Sequence, residues 1–505
     1  MVCTFKPGKN RFRIITNLIF MSVKRFLYPI ERMAFIVAFL FSISPGTSVA
    51  QVRDVEVTIH LRGVYESKVS LLALSGAGLF KPIAEVQGLK DGTTTSISIS
   101  KDKLPGEFVL RFDYMETDVS TPYPSEKTIF INDQNLELWV SPKYCNNTDS
   151  TYFQPDEKEN RTYVQFANEN SKQKEKLGVL QNFLMNYDDT GSPLYQQGIL
   201  EYEKRREAYN QWLKTRAEKD KPLFITNLYG FHHVPQIPWE GTENERIQSL
   251  IDHYFDGMDF NSPFLIKTSN INKWMDGYVN LYGQLSKTIA LRDSLFPLAG
   301  KTAIEKARKG DPRVYGWVVD YFYRGYETNG IDAGIKILEP YINDTNCLTS
   351  KRQEIARRLI GMETLVAGSQ APDILLEDTE GVLFELYKFK PKAAYILILF
   401  WSADCSHCVE LTEKLYPFLT QPEYLQKIEV VAISLDETET EIESWGRKIA
   451  EMNRWKHLCV KEGIRSKEAA DYFVLATPVM ILLDAGTKKI MAVPNTLNEL
   501  KKAIL

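Results

Sequence analysis

Two cysteines separated by two residues, Cys405 and Cys408, are the pair of side chains in this sequence best suited to chemistry. A continuous apolar run, 395–401, ends shortly before them, and residues 409–419 after them show helical spacing. The first sulfur would then lie at a helix N-terminus, where free N–H groups and the helix dipole favour a thiolate. The second would lie nearly one turn later, close enough to form a disulfide or resolve a mixed one. His407 can add positive charge or a hydrogen bond to the Cys405 thiolate.

The segments around this pair alternate between strands and helices. Residues 395–401 suit a central strand buried on both faces, and residues 428–434 suit a second. The pattern also predicts helices over 441–455, 470–474 and 497–505, and a hairpin of strands over 479–483 and 489–493. The order predicts an α/β module over residues 367–505.

This module resembles the TlpA/ResA-like family of thioredoxin-fold thiol–disulfide oxidoreductases. Three motifs occur in the family's order: Gly-Ser-Gln-Ala-Pro-Asp at 368–373, Phe-Trp-Ser-Ala-Asp-Cys-Ser-His-Cys at 400–408, and Ala-Thr-Pro at 476–478. The resemblance implies a redox-active disulfide between Cys405 and Cys408, with no other cofactor and no metal. It also implies a cis Pro478 and a Thr477 backbone that pairs with the bound partner. Trp401 is expected beside the site, facing the substrate together with Thr477 and Pro478.

Two positions depart from patterns seen in such proteins. Thioredoxin-like reductases often have a buried acid six residues before the first cysteine, where this sequence has Leu399. The TlpA/ResA-like pattern often has Glu three residues after the second cysteine, where Leu411 stands between Glu410 and Glu413. The direction of electron flow therefore stays open.

Residues 1–50 have the pattern of a secretory signal peptide. Basic residues precede a short apolar run at 34–41, and small residues follow up to Ala50. Met21 is a possible true start. The run is about half the length that spans a bilayer, so cleavage is expected, with an uncleaved anchor as the alternative. The pattern predicts a protein of the periplasm or cell envelope that contacts the membrane only if the signal is retained.

The remaining sequence predicts two further domains in this chain of 505 residues. Short alternating segments separated by turn residues predict an antiparallel β-sandwich or barrel over 51–145. Helical spacing predicts an all-α domain over 146–366, which starts with a polar linker at 146–160. Its many aromatic residues are expected in the core rather than in a peptide-binding groove. The adjacent His232 and His233 are expected in a loop or on the surface.

The composition narrows the choice of partners. The formal net charge is −4, and removal of residues 1–50 would make it −10, which disfavours nucleic acid as a partner. Six cysteines are too few for a disulfide-stapled scaffold. The expected partners are cysteine-containing envelope proteins and a thiol–disulfide electron donor or acceptor.

Three alternatives stay open from the sequence. A peroxiredoxin-type peroxidase would use Cys405 with Ser402, but Ile398 stands where its motif needs Pro. A zinc site could use Cys405, Cys408, His457 and Cys459, although structural sites usually have two compact ligand pairs. An envelope binding or adaptor protein could retain the thioredoxin-like module as a structural or accessory part, since a fold alone does not establish function.

Overall fold

The computed structural model describes residues 54–74, 82–147 and 150–504. The predicted signal peptide over residues 1–50, with the possible start at Met21, lies outside them. The described chain has an N-terminal β-sheet region, a middle helical region and a C-terminal α/β module, which confirms the predicted fold class. The domain boundaries at 145/146 and 366/367 stay predictions. Within the described segments, no helix is long and apolar enough to cross a membrane.

The N-terminal region consists of two four-stranded sheets, in the orders β4-β1-β7-β8 and β3-β2-β5-β6. Alternating residues of both sheets form one apolar core, as in a sandwich, and they include Val57, Leu71, Phe108, Phe112 and Leu138. The strands are β1 (Val55–Leu61), β2 (Glu66–Leu74), β3 (Pro82–Leu89), β4 (Thr94–Ile99), β5 (Gly106–Met115), β6 (Tyr123–Ile131), β7 (Leu136–Val140) and β8 (Thr151–Phe153).

Two details of this region differ from the prediction. The pair β1–β7 is parallel, so the sandwich is not wholly antiparallel. Strand β8 pairs with β7 inside the segment predicted to be a linker. A three-residue strand within a polar stretch has too short a pattern to be recognised from sequence.

The middle region is built from helices around an aromatic core. Buried Tyr278, Tyr315, Phe322 and Tyr323 belong to one apolar cluster, which confirms that these rings face inward. The helices are α1 (Glu159–Asn186), α2 (Pro193–Lys219), α3 (Glu243–Asp252), α4 (Asn270–Leu285), α5 (Ile289–Ala307), α6 (Pro312–Asn329), α7 (Asp332–Lys336), α8 (Glu339–Ile342) and α9 (Arg352–Thr364).

The expectation that the two adjacent histidines lie in a loop or on the surface is confirmed for His233, which lies in a loop, and is wrong for His232. His232 ends a 3-10 helix, Phe224–His232, and both His232 and His233 are half-buried rather than on the open surface. Burial, with a smaller contribution from Lys174, lowers the pKa of His232 to about 4. The imidazole of His232 lies 3.2 Å from the Lys174 ammonium.

The C-terminal module has a five-stranded sheet in the order β13-β12-β11-β14-β15 and a separate hairpin of β9 and β10. Strands β11, β12 and β13 run parallel, whereas β14 and β15 join antiparallel. The elements are β9 (Leu375–Glu377), β10 (Leu383–Glu385), β11 (Tyr395–Trp401), α10 (Ser406–Leu419), α11 (Pro422–Leu425), β12 (Ile428–Ser434), α12 (Glu439–Glu451), β13 (Lys456–Cys459), α13 (Lys467–Asp471), β14 (Val479–Asp484), β15 (Ile490–Ala492) and α14 (Leu497–Ile504).

Strand β11 lies at the centre of this sheet and positions the cysteine pair. Its alternate side chains enter two apolar clusters, one containing Phe400 and the other containing Trp401 and Cys408. Burial on both faces explains the uninterrupted apolar run. Because parallel strands end at the same edge, Trp401, Ser434 and Cys459 lie side by side at the edge where α10 begins.

Candidate functional site

Cys405 is the N-cap residue of α10, and its sulfur accepts a hydrogen bond from the backbone N–H of Cys408 at 3.3 Å. The same sulfur lies 3.6 Å from the carbonyl oxygen of Thr477, to which its thiol can donate. The peptide bond between Thr477 and Pro478 is cis. Cys405 is half-buried and Cys408 is fully buried, and both are free thiols.

The two thiols of the pair have opposite pKa shifts. Burial raises the pKa of Cys405, but hydrogen bonds from Cys408, Thr477 and the His407 backbone together outweigh burial, so the pKa lies below its ordinary value. Burial, reinforced by the hydrogen bond with Cys405, raises the pKa of Cys408. The outer sulfur therefore ionises first, and the inner sulfur keeps its proton in the resting dithiol.

Comparisons with known proteins agree on the class of this module. Residues 393–490 match the family Thioredoxin_8, described as thioredoxin-like. The thiol-disulfide oxidoreductase ResA of Bacillus thuringiensis is 28% identical over 138 residues, which are 26% of this chain and 71% of ResA. ResA of Bacillus subtilis is 29% identical over 146 residues, which are 28% of this chain and 73% of that protein. The C-terminal module belongs to the TlpA/ResA-like thioredoxin-fold family.

One solved structure is similar over a longer part of the chain. A thioredoxin-like protein of Bacteroides caccae is 20% identical and covers 54% of this chain and 96% of its own, with a TM-score of 0.37. For the TlpA/ResA-like module itself, the ResA relatives support a thiol–disulfide oxidoreductase role.

Of the three residues predicted to face the substrate, two lie beside Cys405 and one is buried in the core. Thr477 and Pro478 are half-buried next to Cys405, where a partner could reach them. Trp401 is 0% exposed and packs in the core with Cys408, so the prediction that Trp401 faces the substrate is wrong. Apolar clusters cover both faces of β11, so the side chain at its last position is buried as well. The His407 side chain is exposed, and its backbone is the part that stabilises the Cys405 thiolate.

Sequence reasoning missed Asp436, which lies two residues beyond β12 and is 1% exposed. Its carboxylate accepts hydrogen bonds from the Ser402 hydroxyl at 2.6 Å and from the Ala403 N–H at 3.0 Å. It also accepts one from the Ser434 hydroxyl at 2.6 Å. The available signal was a Ser-x-Asp sequence at the end of a buried strand, on the edge where parallel strands place functional groups.

The four residues considered as zinc ligands, Cys405, Cys408, His457 and Cys459, do not form a metal site among the described residues. In the described ranges, no group of three or more His, Cys, Asp or Glu residues is placed to hold a metal ion. The His457 Nε2 lies 2.8 Å from the Met452 carbonyl oxygen, and Cys459 is a half-buried free thiol. Burial raises the pKa of Cys459, opposite to the shift of Cys405. Ile398, at the position where a peroxiredoxin motif needs Pro, is a fully buried residue of β11.

Proposed function

We propose that this chain is an exported thiol–disulfide oxidoreductase that exchanges electrons with protein cysteines through Cys405-Ser-His-Cys408. The observation that supports this function is the difference in burial and pKa between the two thiols at the start of α10. Cys405 is half-buried with a lowered pKa, whereas Cys408 is buried with a raised pKa. In such a pair, the accessible sulfur reacts with the partner first, and the buried sulfur then attacks the mixed disulfide.

The exchange with an oxidised partner takes two steps. The Cys405 thiolate attacks a sulfur of the partner's disulfide, so that a mixed disulfide forms and one partner thiolate leaves. Cys408 then loses its proton and attacks the Cys405 sulfur, which releases the second partner thiolate. The partner gains two electrons and the chain keeps the Cys405–Cys408 disulfide. With a reduced partner the same steps run in reverse, and no cofactor besides the cysteine pair takes part.

Three residues shape the surface that the partner meets in this proposal. Thr477 and Pro478 lie beside Cys405, and we assign the Thr477 backbone to pairing with the partner's chain. The exposed His407 supplies its backbone N–H to the Cys405 thiolate, and its imidazole supplies positive charge when protonated.

Export to the periplasm or cell envelope is part of the proposal and is supported by the basic, apolar and small-residue pattern of residues 1–50. Its partners there are cysteine-containing envelope proteins and a thiol–disulfide donor or acceptor. We propose the β-rich residues 51–145 and helical residues 146–366 as separate domains ahead of the redox module at 367–505.

The test is the capture of mixed disulfides by a Cys408→Ala chain expressed in the source cells. Without the resolving thiol, the bond between Cys405 and a partner persists and survives non-reducing electrophoresis. The matched controls are Cys405→Ala, which lacks the attacking sulfur, and Cys459→Ala, which lacks the other half-buried thiol of the module.

We expect reducible adducts with Cys408→Ala, none with Cys405→Ala, and wild-type behaviour with Cys459→Ala. Adducts that form equally well in Cys405→Ala, or their absence from Cys408→Ala, contradict the proposed function.

A further inference from the structure

Helix α9 connects the helical region to the redox module. Its Ile355 is buried in the aromatic core of the helical region. The guanidinium of Arg358 forms ion pairs with Glu327 of α6 at 3.1 Å and with Asp332 of α7 at 3.2 Å. Leu365, the C-cap residue of α9, packs instead against an apolar cluster of the module. One helix is therefore anchored in both parts of the chain.

Near its C-terminal end, the backbone of α9 contacts Phe473 of the module. Gly361 is a buried residue of α9, and a Cβ added there would lie 2.7 Å from the Phe473 Cβ and 2.9 Å from its Cγ. Only a residue without a side chain leaves room for this approach. The aromatic side chain of Phe473 therefore packs directly on the backbone of the helix.

Phe473 also has a backbone conformation that favours glycine. It follows α13 with a φ of 50°, in the left-handed region. Its N–H donates to the Ala470 carbonyl at 3.1 Å, and the Val474 N–H donates to the Ala469 carbonyl at 2.8 Å. These are the two hydrogen bonds of a Schellman motif, which usually has glycine where Phe473 stands. A bulky residue in this conformation is strained and persists only where the surrounding contacts hold it.

Residues 473–478, the Thr477 loop, are held at both ends by Phe400 of β11. The Tyr472 ring, just before the loop, packs on the Phe400 ring with the ring centroids 5.3 Å apart. Val479, just after the loop, is the antiparallel partner of Phe400 where β14 pairs with β11. Because both flanking residues are fixed, a displacement of one loop residue must be absorbed within the loop.

The Thr477 loop carries the carbonyl group that contacts the attacking cysteine. The Thr477 carbonyl oxygen lies 3.6 Å from the Cys405 sulfur. Thr477 is also among the residues whose hydrogen bonds lower the pKa of Cys405. Phe473 is the first residue of the same loop, so a change in its position reaches Thr477 through three residues of backbone.

We propose that Phe473 is a positioning residue through which α9 of the helical region holds the Thr477 carbonyl against the Cys405 sulfur. The inference rests on the proposed function, because it concerns the surroundings of the same cysteine. It gives the helical region a part in the exchange reaction, since the position of α9 sets how closely the Thr477 loop approaches the attacking sulfur. The Thr477 backbone is also the part assigned to pairing with the partner's chain, so the same contact fixes the surface that the partner meets.

The test compares four variants of the full chain. Phe473→Gly removes the ring that α9 contacts and accepts the φ of 50° without strain. Gly361→Ala keeps the ring and forces α9 and Phe473 apart. The double variant combines them, because the three atoms nearest to the added Cβ all belong to the Phe473 side chain. Gly198→Ala is the matched control: its added Cβ in α2 would lie 2.7 Å from a ring carbon of Phe183, which packs in a different apolar cluster.

The readout is the pH midpoint of Cys405 alkylation, followed at that residue by mass spectrometry, with the thermal unfolding midpoint measured in parallel. A displaced loop weakens the hydrogen bonding of Thr477 to Cys405, so the alkylation midpoint should rise. For Phe473→Gly and Gly361→Ala we expect a rise of about half a unit, which slows alkylation about threefold below the midpoint. Gly361→Ala should add nothing in the Phe473→Gly background. Gly198→Ala should lower the unfolding midpoint without moving the alkylation midpoint.

An unchanged or lowered alkylation midpoint in Phe473→Gly overturns the inference, and so does a shift of equal size in Gly198→Ala. Additive shifts in the double variant also overturn it, because Gly361 would then act by another route. Either single variant is sufficient if the other does not fold. If the wild-type Cys405 and Cys408 form no reversible disulfide, the proposed function itself fails, whereas a normal pair whose midpoint does not respond to Phe473 refutes only this inference.

Discussion

Replacing Cys408 should change the ionisation of Cys405 through one hydrogen bond. The Cys408 thiol is among the groups that lower the pKa of Cys405 against the opposing effect of burial. A hydrogen bond to a charged group contributes about 1.5–3 kcal/mol, and because a thiol is a weak donor we use about 1.5 kcal/mol. Cys408→Ala loses this bond and should raise the pKa of Cys405 by about one unit. Cys408→Ser keeps a donor and should stay within about half a unit of the wild type.

The assay is the alkylation rate of Cys405 as a function of pH, followed at that residue by mass spectrometry. Below the pKa, a rise of about one unit lowers the thiolate fraction and hence the rate about tenfold. Cys408→Ala should therefore react more slowly than Cys408→Ser throughout that range. If the alanine variant reacts as fast as the serine variant or faster, the hydrogen bond does not stabilise the thiolate as we describe.

Three further substitutions test the stability of individual helices. An added Cβ at Gly361 of α9 would lie 2.7 Å from the Phe473 Cβ, so Gly361→Ala should destabilise the chain by about 1–3 kcal/mol. At Gly446 in α12 an added Cβ meets nothing within 4 Å, so Gly446→Ala should stabilise the chain by up to about 1 kcal/mol. Equal shifts of the thermal unfolding midpoint in the two glycine variants would contradict the packing argument. Asp311 caps α6 by accepting the Arg313 N–H at 2.9 Å, and its side-chain hydrogen bond with Arg313 is the main cause of its lowered pKa. Asp311→Ala should lower the free energy of unfolding by about 0.5–2 kcal/mol at neutral pH. A carboxyl whose pKa is lowered in the folded state contributes stability that is lost as the pH falls through that pKa, so the effect of the substitution should shrink in strong acid. An effect that does not change with pH would refute this account.

The sequence predicted the elements that have long, regular patterns. The apolar run at 395–401 became β11 with the predicted bounds, and the Cys-x-x-Cys segment after it became the start of α10. Short elements were missed, because β9, β10 and β13 have only three or four residues each. Strand β13, which was not predicted from the sequence, matters for the site because it brings Cys459 beside Ser434.

The parts of the site that sequence did not predict depend on tertiary contacts. Trp401 is the last residue of the apolar run, and its ring is buried because apolar clusters cover both faces of β11. Asp436 lies 34 residues after Ser402 along the chain, and the hydrogen bond between them exists only because β11 and β12 pair in parallel. The predicted helix over 441–455 ends earlier, at Glu451, because β13 begins at Lys456.

The most direct test of the central claim is a redox titration of the wild-type chain against glutathione, with the disulfides mapped by mass spectrometry. We predict one reversible Cys405–Cys408 disulfide that follows a single two-electron transition, while Cys145, Cys347 and Cys459 stay reduced. A chain in which Cys405 and Cys408 do not pair, or in which Cys405 pairs with Cys459 instead, would contradict the account.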